Sequence, residues 1–139
     1  MRDRDDVLTV VREWIAKAEN DLKNATHTLK MGRECPTDTV CFHAQQTVEK
    51  YLKALLVHEG IDFPKTHDLE NLTNLLSPRI RPGLTAEEQA RLTDYATGAR
   101  YPGWSDIPLT EAREAVRLAR RVRQEVRASL LGKDSRRKR

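Results

Sequence analysis

The residues at 37–59 are apolar around most of a helical circumference, and this feature constrains the fold more than any other. Their spacing predicts a helix that ends at Gly60. The apolar positions are Ala44, Val48, Tyr51, Leu52, Leu55 and Leu56. A narrow polar stripe formed by Gln46, Glu49 and Lys53 lies between these positions and Phe42 on the far side. Because a helix that is apolar on most sides is usually central in its bundle, we expect the stripe to be partly enclosed.

The rest of the chain also has helical rather than strand periodicity. Amphipathic segments predict further helices at about 7–31, 67–76, 85–98 and 110–131. Thr85 and Glu88 form a capping-box pattern at the start of one helix, and Thr110 is placed to cap the last. No sustained alternation of apolar and polar residues predicts a sheet. We therefore predict an all-α fold, an up-and-down antiparallel bundle of four to five helices in a single domain at 1–131.

The composition limits the classes of protein to which the chain can belong. Its 139 residues suit one domain, and no apolar run approaches the ~20 residues of a membrane span. The charged N-terminus lacks the apolar region of a signal peptide, so we expect a cytoplasmic protein without a membrane association. Cys35 and Cys41 form no CxxC pair, and we expect reduced thiols and no metal site.

The net charge of +4 is unevenly distributed along the chain. From Arg113 to the C-terminus there are nine Arg and two Lys against three acidic residues, a net +8, so the first 112 residues carry −4. This asymmetry predicts an anionic partner near the C-terminus, or a solvated basic surface. The segment 132–139 has the composition of a basic, disordered tail.

Four strings in order are similar to the motifs of one known family. They are WIAKAENDL at 14–22, FHAQQTVEKYLKALL at 42–56, THDL at 66–69 and ARYP at 99–102. Together they resemble the HEPN family (higher eukaryotes and prokaryotes nucleotide-binding). The resemblance covers roughly residues 10–130. It implies a helical bundle that commonly dimerises and associates with a nucleotide or RNA. It also implies a nucleotidyltransferase-fold partner in a two-component or toxin–antitoxin system.

One departure from the family bears on catalysis. Ribonuclease members of the family carry an Arg followed, after four to six residues, by a His near the end of a late helix. No such pair occurs here, and His67 is the last histidine of the chain. An imidazole can act as acid or base near neutral pH, so its absence argues against the ribonuclease activity. We expect a protein without a cofactor, except for a bound nucleotide, and lean towards a protein that is not an enzyme.

The cationic and aromatic candidates for nucleotide binding are Arg100, Tyr101, Lys53 and Lys50. Arg100 offers a fork of donors suited to phosphate, and Tyr101 a ring on which a base can stack. Lys50 and Lys53 can act as point charges towards a polyphosphate. The structural alternatives are an Arg100 ion pair with Glu49 or Asp21, a Tyr101 that plugs the end of the bundle, a solvated Lys50, and a Lys53–Glu49 ion pair.

His67 completes the candidate set, with Gln46, Glu49 and Asp68 as supporting polar groups. The neighbouring Asp68 can orient the imidazole of His67, but a His at a helix start more often caps locally. Asp68 itself is also placed to interact with the amide end of that helix.

Three functions compete on this basis. The first is a nucleotide-binding HEPN-like protein that works with a nucleotidyltransferase-fold partner. The second is a divergent, metal-independent ribonuclease or RNA-binding toxin that uses the arginine-rich face of the last helix. The third is a purely structural dimerisation module.

Overall fold

The computed structural model describes residues 3–98, 101–103 and 106–137. The helices are α1 (Arg4–Leu29), α2 (Thr37–His58), α3 (Leu69–Asn74), α4 (Ala86–Asp94) and α5 (Leu109–Arg137), with short 3₁₀ turns at Gly32–Glu34 and Pro78–Ile80. These described parts of the chain contain no strand. The predicted all-α bundle is confirmed.

Helix α2 is the centre of the bundle, as its sequence pattern predicts. It packs against α1 and α5 along its length and also contacts α3 and α4. Its fully buried apolar residues are Val40, Cys41, Ala44, Val48, Tyr51, Leu52, Ala54, Leu55 and Leu56. Because the other four helices pack against α2, apolar side chains on nearly every side of it are removed from water.

The predicted ends of the two long N-terminal helices agree with the structure to within a few residues. Gly32 and Gly60 follow the ends of α1 and α2 with φ of 65° and 74°. This left-handed conformation is favourable for glycine and ends a helix without steric cost. Helix α1 begins at Arg4, earlier than predicted, because Asp3 accepts the backbone hydrogen bond of Val7.

Helix α3 is shorter than predicted at both ends. The sequence pattern predicts a helix over 67–76, but α3 spans only Leu69–Asn74. The side chain of Asp68 accepts hydrogen bonds from the backbone N–H groups of Glu70 and Asn71. Asp68 is therefore the N-cap, with extended backbone angles, and His67 precedes the helix. The expected interaction of Asp68 with the amide end is confirmed.

The C-terminal helices also differ from the prediction in their bounds. Thr85 and Glu88 form the predicted capping box, but α4 ends at Asp94 rather than near Gly98. Helix α5 begins at Leu109, so Thr110 is inside the helix and does not cap it, and Pro108 accepts the first backbone hydrogen bonds. The helix continues past Leu131 to Arg137, through most of the segment predicted as a disordered tail.

The remaining structural expectations concern the membrane and the cysteines. Within the described residues, no helix combines the length and apolarity that crossing a bilayer requires. Cys35 and Cys41 are both buried and both free of a disulfide. Burial raises the pKa of Cys41 to about 12, with a further contribution from the charge of Glu111.

Candidate functional site

The carboxylate of Glu49 is the centre of a buried polar cluster on α2. Its side chain is 4% exposed. Its oxygens lie 2.7 Å from Nδ1 of His67, 3.0 Å from Nζ of Lys53 and 3.1 Å from Nε2 of Gln45. Nε2 of Gln46 lies farther away, at 3.4 Å. Burial alone would raise the pKa of Glu49, but the hydrogen bonds from His67, Gln45 and Lys53 and the charge of Lys53 lower it below its usual value.

His67 connects the loop before α3 to this cluster. An ionised carboxylate can only accept hydrogen bonds. Nδ1 of His67 therefore carries a hydrogen and donates a hydrogen bond to Glu49. In the neutral ring Nε2 is therefore an acceptor. Gln45 also donates a hydrogen bond to the backbone carbonyl of His67 at 3.2 Å. Both the ring and the backbone of His67 are held by α2, while its side chain remains 58% exposed.

Lys53 is enclosed between the carboxylate and two aromatic rings. Its Nζ lies 5.3 Å from the ring centroid of Trp14 on α1 and 5.7 Å from that of Phe63 in the loop after α2. The two rings meet edge to face, with centroids 6.3 Å apart. Cation–π attraction and the ion pair with Glu49 both compensate for the loss of water around this ammonium group. The predicted enclosure of the polar stripe is found, and so is the Lys53–Glu49 ion pair, which was the structural alternative for Lys53.

Lys50 belongs to a different cluster from Lys53. Its Nζ lies 2.5 Å from Oδ2 of Asp21 on α1, and Nδ1 of His43 lies 2.8 Å from Oδ1 of the same carboxylate. The alternative of a solvated Lys50 is therefore wrong. Lys50 and Lys53 pair with separate carboxylates and do not converge on one point.

A third carboxylate, Glu19 on α1, was not among the sequence candidates. Its Oε1 accepts hydrogen bonds from Tyr51 on α2 at 2.8 Å and from Arg123 and Arg127 on α5 at 2.7 and 2.8 Å. The cluster joins the three long helices at one atom. The sequence signal for this cluster was the spacing of the arginines on α5. That spacing does not indicate which carboxylate the arginines pair with.

Of the other predicted site residues, the structure describes Tyr101 and Asp68, and neither joins the Glu49 cluster. Arg100 lies outside the described residues, so its convergence with Lys53 and His67 stays a prediction. Tyr101 is 63% exposed, so it does not plug the end of the bundle. Asp68 is used as the cap of α3.

An apolar cleft adjoins the Glu49 cluster. It has a volume of about 770 Å³. Its lining residues are Val7, Val10, Trp14, Val57, Gly60, Ile61, Asp62 and Phe63. Trp14 and Phe63 therefore line the cleft and also surround the ammonium group of Lys53. Among the described residues, no group of three or more His, Cys, Asp or Glu side chains is placed to hold a metal ion.

The fold and these clusters define a small all-helical protein whose central helix carries buried ion pairs. The chain matches the HEPN domain family over residues 11–129 and belongs to that family. Its fold is similar to the crystal structure of TT1696 from Thermus thermophilus, with a TM-score of 0.69 and 27% identity over 84% of this chain and 95% of that one. It is also similar to ST0689, an archaeal HEPN homologue, with a TM-score of 0.65 and 26% identity over 86% and 96% of the two chains. The comparison with curated proteins returned no match.

Proposed function

We propose that this protein binds a nucleotide at the cluster of Glu49, Lys53 and His67 and acts with a nucleotidyltransferase-fold partner. The observation that carries the proposal is the pair of buried charges on the central helix. A buried ion pair is weak evidence for stability, because well-packed apolar residues often serve a core equally well. Perturbed ionisable groups beside a cleft are instead typical of functional sites.

The surroundings of the cluster suit the parts of a nucleotide. The cleft lined by Trp14 and Phe63 offers apolar and aromatic surface to a base, within the ~300–1,000 Å³ typical of ligand pockets. His67 is exposed and fixed in direction, so Nε2 of its neutral ring is available to accept a hydrogen bond from a ribose hydroxyl group. Lys53 has three donors and uses one of them towards Glu49.

A thermal-shift screen with nucleoside mono-, di- and triphosphates, with and without Mg²⁺, tests this proposal. A ligand that binds only the folded protein raises the melting temperature by mass action. The expected result is a shift with one nucleotide that is lost in His67→Ala. Lys65→Ala, an exposed residue in the same loop, is the matched control and should keep the shift. The absence of a shift with every nucleotide would favour the purely structural module.

The partner, the two-component or toxin–antitoxin role and the homodimer rest on family membership. The expected outcome is a stable dimer in light scattering and a complex of defined stoichiometry with a co-expressed nucleotidyltransferase-fold protein. A monomer that forms no such complex would contradict this half of the proposal and leave nucleotide binding unaffected.

A metal-independent ribonuclease is the second candidate, favoured by the Glu49–His67 hydrogen bond. A carboxylate that fixes one ring nitrogen leaves the other as a base in a defined orientation. Cleavage of RNA in the presence of EDTA, abolished in His67→Ala, would support it. Intact RNA after incubation with concentrated protein would argue against it.

A further inference from the structure

An open groove lies between α1 and α5, away from the Glu49 cluster. It has a volume of about 780 Å³. Its lining residues are Glu19, Asn20, Leu22, Lys23, Thr26, His27, Lys30, Arg120, Arg123 and Gln124. None of the candidate nucleotide-binding residues that the structure describes lines it. Most of its side chains are polar or cationic.

The cations of the groove follow both of its walls. Lys23 and Lys30 are two helical turns apart on α1, about 10 Å along the helix axis. Arg120 and Arg123 line the opposite wall on α5, and Arg127 follows one helical turn beyond Arg123. The groove is therefore positive along its length rather than at one point.

These cations outnumber the carboxylates near them. Arg123 and Arg127 share one oxygen of Glu19, and Arg120 donates a hydrogen bond to the hydroxyl group of Thr26 at 3.4 Å, with no carboxylate partner among the described residues. Within the described part of the chain, no carboxylate lies within ion-pair distance of Lys23 or Lys30. Lys50 and Lys53, by contrast, are each paired with a carboxylate of their own.

Glu19, the carboxylate that lines the groove, is ionised and already pairs with two arginines. Burial alone would raise the pKa of Glu19, but hydrogen bonds from Tyr51 and Arg123 and the charges of Arg123 and Arg127 lower it. Glu19 therefore neutralises a single charge and holds two guanidinium groups at the groove. Excess positive charge in a cleft concentrates anions from solution and attracts them from a distance.

We propose that this groove binds the phosphodiester backbone of a single-stranded nucleic acid. Cations spaced along two walls match a chain of negative charges better than one compact anion. Asn20, Thr26 and Gln124 add the neutral polar groups that commonly contact phosphates and sugars. Among the described residues, no Phe, Tyr or Trp ring lines the groove, so the recognition is mainly of the backbone. This inference goes beyond the nucleotide site and does not depend on it.

The test is fluorescence anisotropy with a labelled 12-nucleotide oligouridylate RNA at several salt concentrations. The logarithm of the affinity should fall with the logarithm of the salt concentration with a slope of about −3, the value for about four neutralised phosphates on a single strand. The double variant Lys23→Glu/Lys30→Glu should weaken binding by about tenfold or more. The control Lys65→Glu/Arg79→Glu makes the same change in net charge at exposed sites outside the groove and should weaken it by less than about threefold.

Several results would overturn the proposal. Equal weakening by both double variants would show that the effect comes from net charge alone. Unchanged binding by Lys23→Glu/Lys30→Glu would show that RNA does not bind in the groove. Inorganic tripolyphosphate that binds as tightly as the 12-mer would indicate a small-anion site instead of a chain. The same oligonucleotide as DNA distinguishes contacts to the 2′-hydroxyl from contacts to phosphate. The Lys23→Glu/Lys30→Glu variant should keep the nucleotide-induced shift in melting temperature, so failure at the nucleotide site and failure at the groove are separable.

Discussion

Oε1 of the buried Glu49 accepts a hydrogen bond from Nδ1 of His67 at 2.7 Å, although the two residues are separated by the end of α2 and a loop. The pair joins a carboxylate in the core to an imidazole that is more than half exposed. A change at either residue therefore affects both the packing around α2 and the surface next to the apolar cleft.

Replacement of Glu49 by Ala should destabilise the protein strongly. Lys53 would lose its carboxylate while still enclosed by Trp14 and Phe63, and an uncompensated buried charge costs roughly 3–5 kcal/mol. Urea denaturation monitored by circular dichroism measures the change. Glu114→Ala removes the partner of the exposed Arg117 and is the control, with little change expected. Similar losses in the two variants would contradict the central role of the Glu49 cluster.

Acidification should remove the contribution of Glu49 to stability. Its pKa is lower in the folded protein than its usual value of 4.5, so the folded state favours the ionised form. The stabilisation is fully present above pH 4.5 and is lost as the pH falls through the lower folded-state pKa. The difference in unfolding free energy between the wild type and Glu49→Gln should be smaller at about pH 3 than at about pH 6. A difference that is constant over this range would show that ionisation of Glu49 does not stabilise the fold.

Asp68 should act as a helix cap and not as a ligand. Asp68→Ala removes the acceptor for the N–H groups of Glu70 and Asn71 and should lower stability by about 1 kcal/mol, while Asp68→Asn should retain most of it. Thermal unfolding of the two variants measures this. A nucleotide-induced shift in melting temperature should survive in Asp68→Ala. Its loss in a folded Asp68→Ala protein would instead place Asp68 in the binding site.

Cys41 should resist thiol reagents until the protein opens. Its side chain is fully buried, and a pKa of about 12 leaves almost no thiolate at mildly alkaline pH. The rate at which iodoacetamide labels Cys41, followed by mass spectrometry, should be low in the native protein. It should reach the rate of the unfolded chain only at urea concentrations above the unfolding transition. Rapid stoichiometric labelling of Cys41 in the native protein would show that the core around α2 opens easily.

Part of the site was accessible to sequence analysis because it follows the period of one helix. Gln46, Glu49 and Lys53 lie along one stripe of α2, and their enclosure follows from the apolar positions on both sides. The Lys53–Glu49 pair is an i,i+4 contact, which the helix geometry alone brings together. The resemblance in four strings added the family, which the match over 11–129 confirms.

Contacts between elements required the tertiary structure. Lys50 follows Glu49 directly in the chain, yet its ammonium group pairs with Asp21 because α1 packs against that side of α2. His67 meets Glu49 only because the loop before α3 folds back onto α2, and Gln45 holds it there. The sequence pattern placed Asp68 inside a helix that begins at His67, whereas Asp68 precedes α3 and caps it with extended backbone angles that periodicity does not specify.

The sequence by itself determined the helices, the central position of α2 and the enclosure of its polar stripe, because periodicity and burial depend on residues that are neighbours along one helix. The tertiary structure alone decided which cations are neutralised by a carboxylate of another element. Asp21 and Glu19 pair with cations across helix interfaces, and Glu49 meets His67 of the loop before α3, so groups about 3 Å apart are distant in the chain. That pairing leaves Lys23 and Lys30 with no carboxylate partner in the described structure, beside the arginines of α5, and so forms the positive groove.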